Sequence, residues 1–376
     1  MKKILIFDRI QSSKFPGGDT IQINAIKDYL RNNEYKVDVS DDPLIELTNY
    51  DIIFIFNLTN PFEAYVFTES ANKFKKPYVF FPVYWNLDTL RYSKNIEIKT
   101  IAKQTLPKGV KWSYRAIKFI KGHFNYIKKL NIDPIQLLNE KSVHEKILIN
   151  AKYICPNSYA ELDHLELNFA LSKINNNVKV IYNGINLDEL LFYKSKEIGN
   201  SVLEKYKLPP RYVCCVGGMG PRKNQLNLIK AANEINVPLV IIGKASKGCE
   251  QYEKKIKGIA KSNIIFLGQL PQNEVFEILF HSLGHIQPSY IETPGLASLE
   301  AAGVGCNIVV SNTPPVREYF GDYALYCEPC DIESIKDALI RLIDMNQDGK
   351  LHNFVARYDW KIVLSDLNEI INSIRR

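Results

Sequence analysis

Between Pro288 and Gly303 the sequence reads Pro-Ser-Tyr-Ile-Glu-Thr-Pro-Gly-Leu-Ala-Ser-Leu-Glu-Ala-Ala-Gly, with the carboxylates Glu292 and Glu300 eight positions apart. A strand ending at Pro288, a loop carrying Glu292 and a Pro294-Gly295 entry into a helix place Glu300 about one and a half turns along that helix. The first-turn N–H groups near Gly295 to Ala297 lack partners within the helix and lie at the positive end of its dipole, so they can hold a phosphate. Two acids would repel a bare phosphate, but they can accept hydrogen bonds from sugar hydroxyls on either side of one. The same residues also fit a solvated loop acid and a helix-surface charge.

A second phosphate-type signal is Val216-Gly217-Gly218-Met219-Gly220-Pro221-Arg222-Lys223-Asn224. Glycines allow close backbone approach, and Arg222 with Lys223 sets two cations at the start of the next helix, as a pyrophosphate needs. A tight strand-to-helix turn with solvated basic residues is the plainer reading. The first half carries a similar turn, Phe15-Pro16-Gly17-Gly18-Asp19-Thr20, in which Asp19 or Thr20 can cap a helix.

Both glycine turns must follow a buried strand, and the sequence supplies one for each. Short runs rich in Val, Ile, Phe and Tyr alternate with stretches of helical period, the pattern of parallel sheets covered by helices. The first series predicts strands near Lys3 to Phe7, Tyr35 to Val39, Asp51 to Phe56, Tyr78 to Phe81, Tyr153 to Cys155 and Val178 to Tyr182, with helices at Thr20 to Asn32 and Ser158 to Ala170. A second series starts at Arg211 to Val216 and runs through Pro238 to Ile242, Ile264 to Leu267, His285 to Pro288, Asn307 to Val310 and Tyr323 to Tyr326. Between them Asn183 to Pro210 is polar, with few strand or helix signals, and reads as the boundary. Asp359 to Ile374 carries an apolar helical stripe that can dock on either half.

The chain has 376 residues, a formal charge of +7 and 46% hydrophobic residues. That length and composition exclude a disordered tail and a single mini-domain and favour two domains with real cores. Seven cysteines, irregularly spaced, do not make a disulfide framework. The five-residue apolar run before Asp8 is too short for a signal peptide core, and no stretch is long enough to span a membrane. The expectation is a reducing, cytoplasmic protein.

The order of Gly17-Gly18, Pro156-Asn157-Ser158, Asn183-Gly184-Ile185, Pro221-Arg222-Lys223-Asn224, Glu292 with Glu300, and Tyr358-Asp359-Trp360 resembles a retaining glycosyltransferase of the GT4 type. The resemblance implies an α/β GT-B fold, two Rossmann-like lobes facing across a cleft, with the C-terminal helix able to cross back to the N-lobe. On that basis 1–186 is the acceptor-side lobe, 187–358 the nucleotide-sugar lobe and 359–376 the C-terminal helix. It further implies that Glu300 binds ribose hydroxyls and Glu292 a donor-sugar hydroxyl near the reacting carbon. Lys223 and Arg222 would neutralise the leaving diphosphate, and the N–H groups of Gly295 and Leu296 would hold its terminal phosphate. Thr293, Gly17, Gly18, Gly217 and Asn183 complete the implied donor site, with Tyr84 and Asn86 on the acceptor side.

Two positions depart from the family pattern. Gly218 stands where many relatives carry an Arg, and Phe81-Pro82-Val83-Tyr84-Trp85-Asn86 has no His where relatives often place one. The implied reaction moves a sugar from a UDP- or GDP-sugar to a glycan or lipid-linked acceptor in cell-surface polysaccharide synthesis. A nucleotide-sugar epimerase of the same fold and a non-catalytic nucleotide-sugar-binding, membrane-associated protein are the alternatives. No metal or other cofactor is expected, since no Asp-x-Asp pair exists and Cys327-Glu-Pro-Cys330 has no second pair at zinc spacing. His144, His164 and His285 read as ordinary residues, and Cys214 or Cys215 as core.

The charge is uneven. Arg91 to Lys129 holds eleven Lys/Arg and one acid, a local charge of +10 that leaves −3 for the remaining chain. On a helical wheel from Lys108 to Leu130, Lys111, Arg115, Lys118 and Lys129 gather on one side. Ile117, Ile120, Phe124 and Ile127 gather opposite, with Trp112, Tyr114 and Tyr126 between. A basic amphipathic helix of this kind can lie on an anionic membrane surface on the cytoplasmic side, or pack its stripe on its own sheet. Nucleic acid is not expected as a partner, because no nucleic-acid module accompanies the segment.

Overall fold

The computed structural model describes residues 1–10, 18–85, 107–174, 177–195, 201–293, 295–347 and 349–374. They form two compact units, Met1–Asn183 with Lys361–Arg376, and Gly184–Trp360.

In the N-terminal unit, β1 (Lys3–Phe7), β2 (Lys36–Ser40), β3 (Ile52–Phe56), β4 (Tyr78–Phe81) and β5 (Tyr153–Ile154) make one parallel sheet in the order β2-β1-β3-β4-β5. The segments IIFIF and YVFF are buried along their whole length, as strands covered on both faces must be. Phe56 stacks on Phe81 with centroids 4.5 Å apart, and Phe7 on Phe67 at 4.3 Å. The Tyr159–Phe169 helix is capped by Ser158, whose side chain accepts from Glu161 N–H, and ends at Ala170 in the left-handed region.

From Lys361 onward the C-terminal stripe belongs to this unit. It forms two short helices, Trp360–Val363 and Asp366–Ser373, rather than the single one expected. Leu364, Leu367, Ile370 and Ile371 are buried, the Lys2 ammonium donates to the Ile371 and Ile374 carbonyls, and Lys179 pairs with Asp366 at 3.0 Å. Expected strand 178–182 is also corrected: it reduces to a bridge between Val178 and Ile154 flanked by a few backbone hydrogen bonds.

The C-terminal unit holds β6 (Val213–Val216), β7 (Leu239–Ile242), β8 (Ile264–Gly268), β9 (Gly284–Gln287), β10 (Ile308–Ser311) and β11 (Leu325–Cys327), all parallel, in the order β11-β10-β9-β6-β7-β8. This is the doubly wound order of dinucleotide-binding sheets, and its direction of winding reverses between β6 and β9. Cys214 and Cys215 are both buried in it.

The polar stretch Asn183 to Pro210, which offered few strand or helix signals, is helical in part. It contains the helices Leu187–Ser195 and Ser201–Lys205, and both lie inside the C-terminal unit. They are short and anchored by few apolar residues, Leu190, Tyr193 and Val202 among them, so their period is weak in sequence. The unit instead closes where its two ends pair. Ile185 N–H donates to Tyr358 O at 2.9 Å and Trp360 N–H to Ile185 O at 3.0 Å, while the Asp359 carboxylate accepts from Leu187 N–H at 3.1 Å. A Cβ at Gly184 would lie 2.5 Å from the Tyr358 carbonyl oxygen, so this crossing requires glycine. The Asn183-Gly184-Ile185 and Tyr358-Asp359-Trp360 motifs are thus largely two halves of one structural clasp.

The basic helix departs from its wheel. It runs Lys108–Gly122, breaks at His123 and resumes as Phe124–Lys129. Trp112, Ala116, Phe119 and Ile127 face the core, whereas Ile117 and Phe124, expected on the packed stripe, are exposed. Residues 91–106 of the charged segment lie outside the described residues.

Candidate functional site

The switch point of the C-terminal sheet places the loops after β6 and β9 side by side. The loop after β6 begins at Gly217, with φ +144°, and passes so close to Gly243 that a Cβ on Gly243 would meet the Gly217 carbonyl oxygen at 2.1 Å. It continues into a 3-10 turn, Pro221–Lys223, closed by Asn224 in the left-handed region. Asn224 is buried and its amide donates to the carbonyls of Pro288 at 2.9 Å and Pro329 at 2.7 Å. Tyr290 N–H donates to Arg222 O at 2.9 Å. The two loops are therefore tied through backbone groups before any charged side chain is considered.

On this frame Glu292, Lys223 and Arg222 converge. The Lys223 ammonium lies 2.8 Å from Glu292 Oε1 and 2.9 Å from Oε2, and Arg222 Nη1 lies 3.0 Å from Oε1 and donates to Ile291 O at 3.0 Å. Glu292 is buried. Burial alone would push its carboxyl up. The charges of Lys223 and Arg222, with hydrogen bonds from Lys223 and Ser289, outweigh that and hold it below the usual carboxylate range. It is a buried carboxylate kept ionised by two cations.

Gly295 opens the Leu296–Gly303 helix with φ +90°, and a Cβ there would lie 3.2 Å from Glu292 Oε2. The Ser298 and Leu299 N–H groups both donate to Gly295 O, so the Leu296 and Ala297 N–H groups precede the first helical bonds. A positive helix end and two cations thus flank one carboxylate, an arrangement able to stabilise negative charge on an arriving diphosphate. Glu300 lies half-buried on this helix. Burial pushes its carboxyl up to about 7, opposed by a hydrogen bond from Gln272 and reinforced by the Glu189 charge. Gly303 ends the helix where a Cβ would meet Leu190 Cδ1 at 2.4 Å, fixing its approach to the Leu187–Ser195 helix.

The structure therefore brings Arg222, Lys223, Glu292, Gly295, Leu296, Glu300 and Gly217 into one unit, with Thr293 on the connecting loop. Gly18 and Asn183 belong to the other unit, Gly18 at the start of the Gly18–Asn32 helix and Asn183 buried at the end of that unit's main segment. Gly17, Asn86 and Pro294 lie outside the described residues. Tyr84 packs its ring against His164 and Phe169 at 5.6 and 5.1 Å, at the edge of the N-terminal core.

Sequence reasoning missed a supporting set. Gln287 is buried at the end of β9 and its amide donates to Lys223 O and Ser289 Oγ, both at 3.0 Å. His285, two residues earlier, meets Ser298 Oγ at 3.1 Å, and burial lowers its pKa to about 3, so the ring is neutral. Polar residues alternating inside an otherwise apolar strand were the available signal. His144 packs between Trp112 and Phe169, and His164 stacks on Trp85 at 4.3 Å. Among the described residues no three His, Cys, Asp or Glu side chains gather as a metal-ligand group.

Residues 203–358 match the family model described as glycosyl transferases group 1. The O-antigen chain mannosyltransferase RfbU of Salmonella typhimurium (strain LT2) is 25% identical over 215 residues, which is 56% of this chain and 56% of that protein, so the match spans about half of the relative. Two solved structures superpose on nearly the whole chain. Sucrose-phosphate synthase from Thermosynechococcus elongatus has a TM-score of 0.71 at 15% identity, covering 100% of this chain and 99% of that one. Anabaena HepE in complex with UDP-glucose has a TM-score of 0.69 at 16% identity, covering 99% and 100%. The two doubly wound sheets agree with these likenesses in fold. The chain has the GT-B fold, and its residues 203–358 are similar to the glycosyl transferases group 1 family.

Proposed function

We propose that this protein is a metal-independent, retaining glycosyltransferase that moves a hexosyl group from a nucleoside-diphosphate sugar to a glycan or lipid-linked glycan acceptor. The observation that carries the reading is the Glu292–Lys223–Arg222 cluster set against the N-terminus of the Leu296–Gly303 helix. In the reaction the bond between the sugar's anomeric carbon and the diphosphate breaks, and a bond forms between that carbon and an acceptor oxygen. The acceptor's proton passes to the leaving phosphate, so no protein nucleophile is needed. Negative charge grows on the phosphate in the transition state, and Lys223, Arg222 and the helix N–H groups are fixed in advance to receive it.

Glu292 has two tasks in this scheme. It holds both cations in register before the donor arrives, and its acceptor oxygens suit a hydroxyl of the donor sugar. Glu300 suits the ribose. A carboxyl near half-protonation in the empty site ionises more readily once two hydroxyls donate to it. The likeness to a mannosyltransferase makes a mannose-bearing donor the first to test.

The test is a thermal-shift panel of UDP-, GDP-, ADP- and CMP-sugars followed by transfer assays with the donor that binds. A ligand that binds only the folded state raises the melting temperature. One nucleotide class should stand out and its sugar should be transferred with retained anomeric configuration in the presence of EDTA. Failure of every nucleoside-diphosphate sugar to bind, or inversion in the product, would overturn the proposal.

A further inference from the structure

The Lys108–Gly122 helix carries two apolar arcs that point in opposite directions. Trp112, Ala116 and Phe119 enter the core of the N-terminal unit, where the Trp112 indole N–H donates to Leu137 O at 2.9 Å. On the opposite arc Val110, Tyr114 and Ile117 are 50%, 69% and 47% exposed. Their spacing of four and three residues makes one continuous stripe. Lys121 falls on the same line and Lys118 beside it, both exposed. From Pro107 to Ile132 the chain has seven Lys/Arg and no acidic residue.

Core packing explains the first arc and leaves the second in water. An outward apolar stripe costs hydration free energy, and a run of cations with no acid among them adds self-repulsion. An anionic lipid surface offsets both at once. Aliphatic and tyrosyl groups enter the headgroup boundary while lysines extend to the phosphates. A nucleic acid would answer the charge but not Val110 and Ile117. A second copy of this chain would cover the apolar side chains but set like charges against each other.

We propose that the outward face of this helix, centred on Val110, Tyr114, Ile117, Lys118 and Lys121, docks the N-terminal unit on an anionic lipid bilayer. Among the described residues no helix is long and apolar enough to cross a membrane, so the contact is interfacial. It concerns a surface of the other unit from the Glu292 cluster, and vesicle binding can fail or succeed whatever the fate of the catalytic proposal.

The test is co-sedimentation of the full chain with phosphatidylcholine vesicles, with and without phosphatidylglycerol, at low and high salt. Three proteins are compared: the native sequence, Lys118→Gln with Lys121→Gln, and Tyr114→Ser with Ile117→Ser. These side chains are exposed, and circular dichroism and melting curves confirm that the variants fold. The native protein should bind only the anionic vesicles. The lysine variant should bind about 25-fold more weakly, from about fivefold per lysine, and the Tyr114/Ile117 variant should also lose affinity. Equal binding to neutral vesicles, unchanged binding by both variants, or self-association that both variants abolish would overturn the proposal.

Discussion

Replacing Glu292 by Gln tests the site most directly, because the substitution keeps the shape and removes one charge. Glu292 is 5% exposed and faces the Lys223 ammonium at 2.8 Å and the Arg222 guanidinium at 3.0 Å. Removing one partner of a buried ion pair costs about 3–5 kcal/mol because the other is left uncompensated. The Arg222 side chain is 44% exposed and can turn to water, so the expected loss is at the low end, about 3 kcal/mol. Urea denaturation of the empty protein at neutral pH reads it. The acid limb should change as well. A carboxyl held below its ordinary value contributes stability above that value and loses it as pH falls through the lowered one, and the Gln variant lacks this dependence. Nucleoside-diphosphate affinity, by calorimetry, should hold or tighten, since the two cations no longer answer to a carboxylate. Turnover should fall about 10²- to 10³-fold, the usual effect of deleting one preorganised polar group. Near-native turnover would refute the assignment. A loss of nucleotide affinity in step with activity would show that Glu292 only scaffolds the loop.

Further outcomes follow from other parts of the structure. Lys223→Ala should weaken nucleoside-diphosphate binding and turnover together, measured by calorimetry and transfer assay; native affinity would remove Lys223 from the diphosphate site. With its folded carboxyl raised to about 7, Glu300 favours folding when protonated, a contribution complete below the ordinary carboxylate range and lost as pH rises through 7. Glu300→Gln should therefore flatten denaturation free energies across that window and add up to about 3 kcal/mol above it. Gly184→Ala, with its Cβ 2.5 Å from a backbone oxygen, should open the clasp between the ends of the C-terminal unit. It should lower the melting temperature while Gly109→Ala, whose Cβ meets nothing within 4 Å, should not.

Much of the architecture was legible because parallel strands buried on both faces leave unbroken apolar runs such as IIFIF and YVFF. The turns were legible for a similar reason. Gly217 and Gly295 hold positive φ angles that other residues resist, so the glycines mark where backbone must bend or approach closely. The helices at 187–195 and 201–205 were missed because a short helix held by one or two buried side chains leaves almost no period to read.

The sequence by itself determined the fold class, the glycine turns and the residue types of the proposed site, since each is written in local runs of a few residues. It could not determine that Lys223 and Arg222 would meet Glu292, about 70 positions away. That depends on β6 lying beside β9 rather than elsewhere in the sheet, and strand order carries no local periodicity. Nor could it say which arc of the Lys108–Gly122 helix packs. Both arcs are apolar, and only the tertiary structure, which offers one of them the core, leaves the other with its lysines facing water.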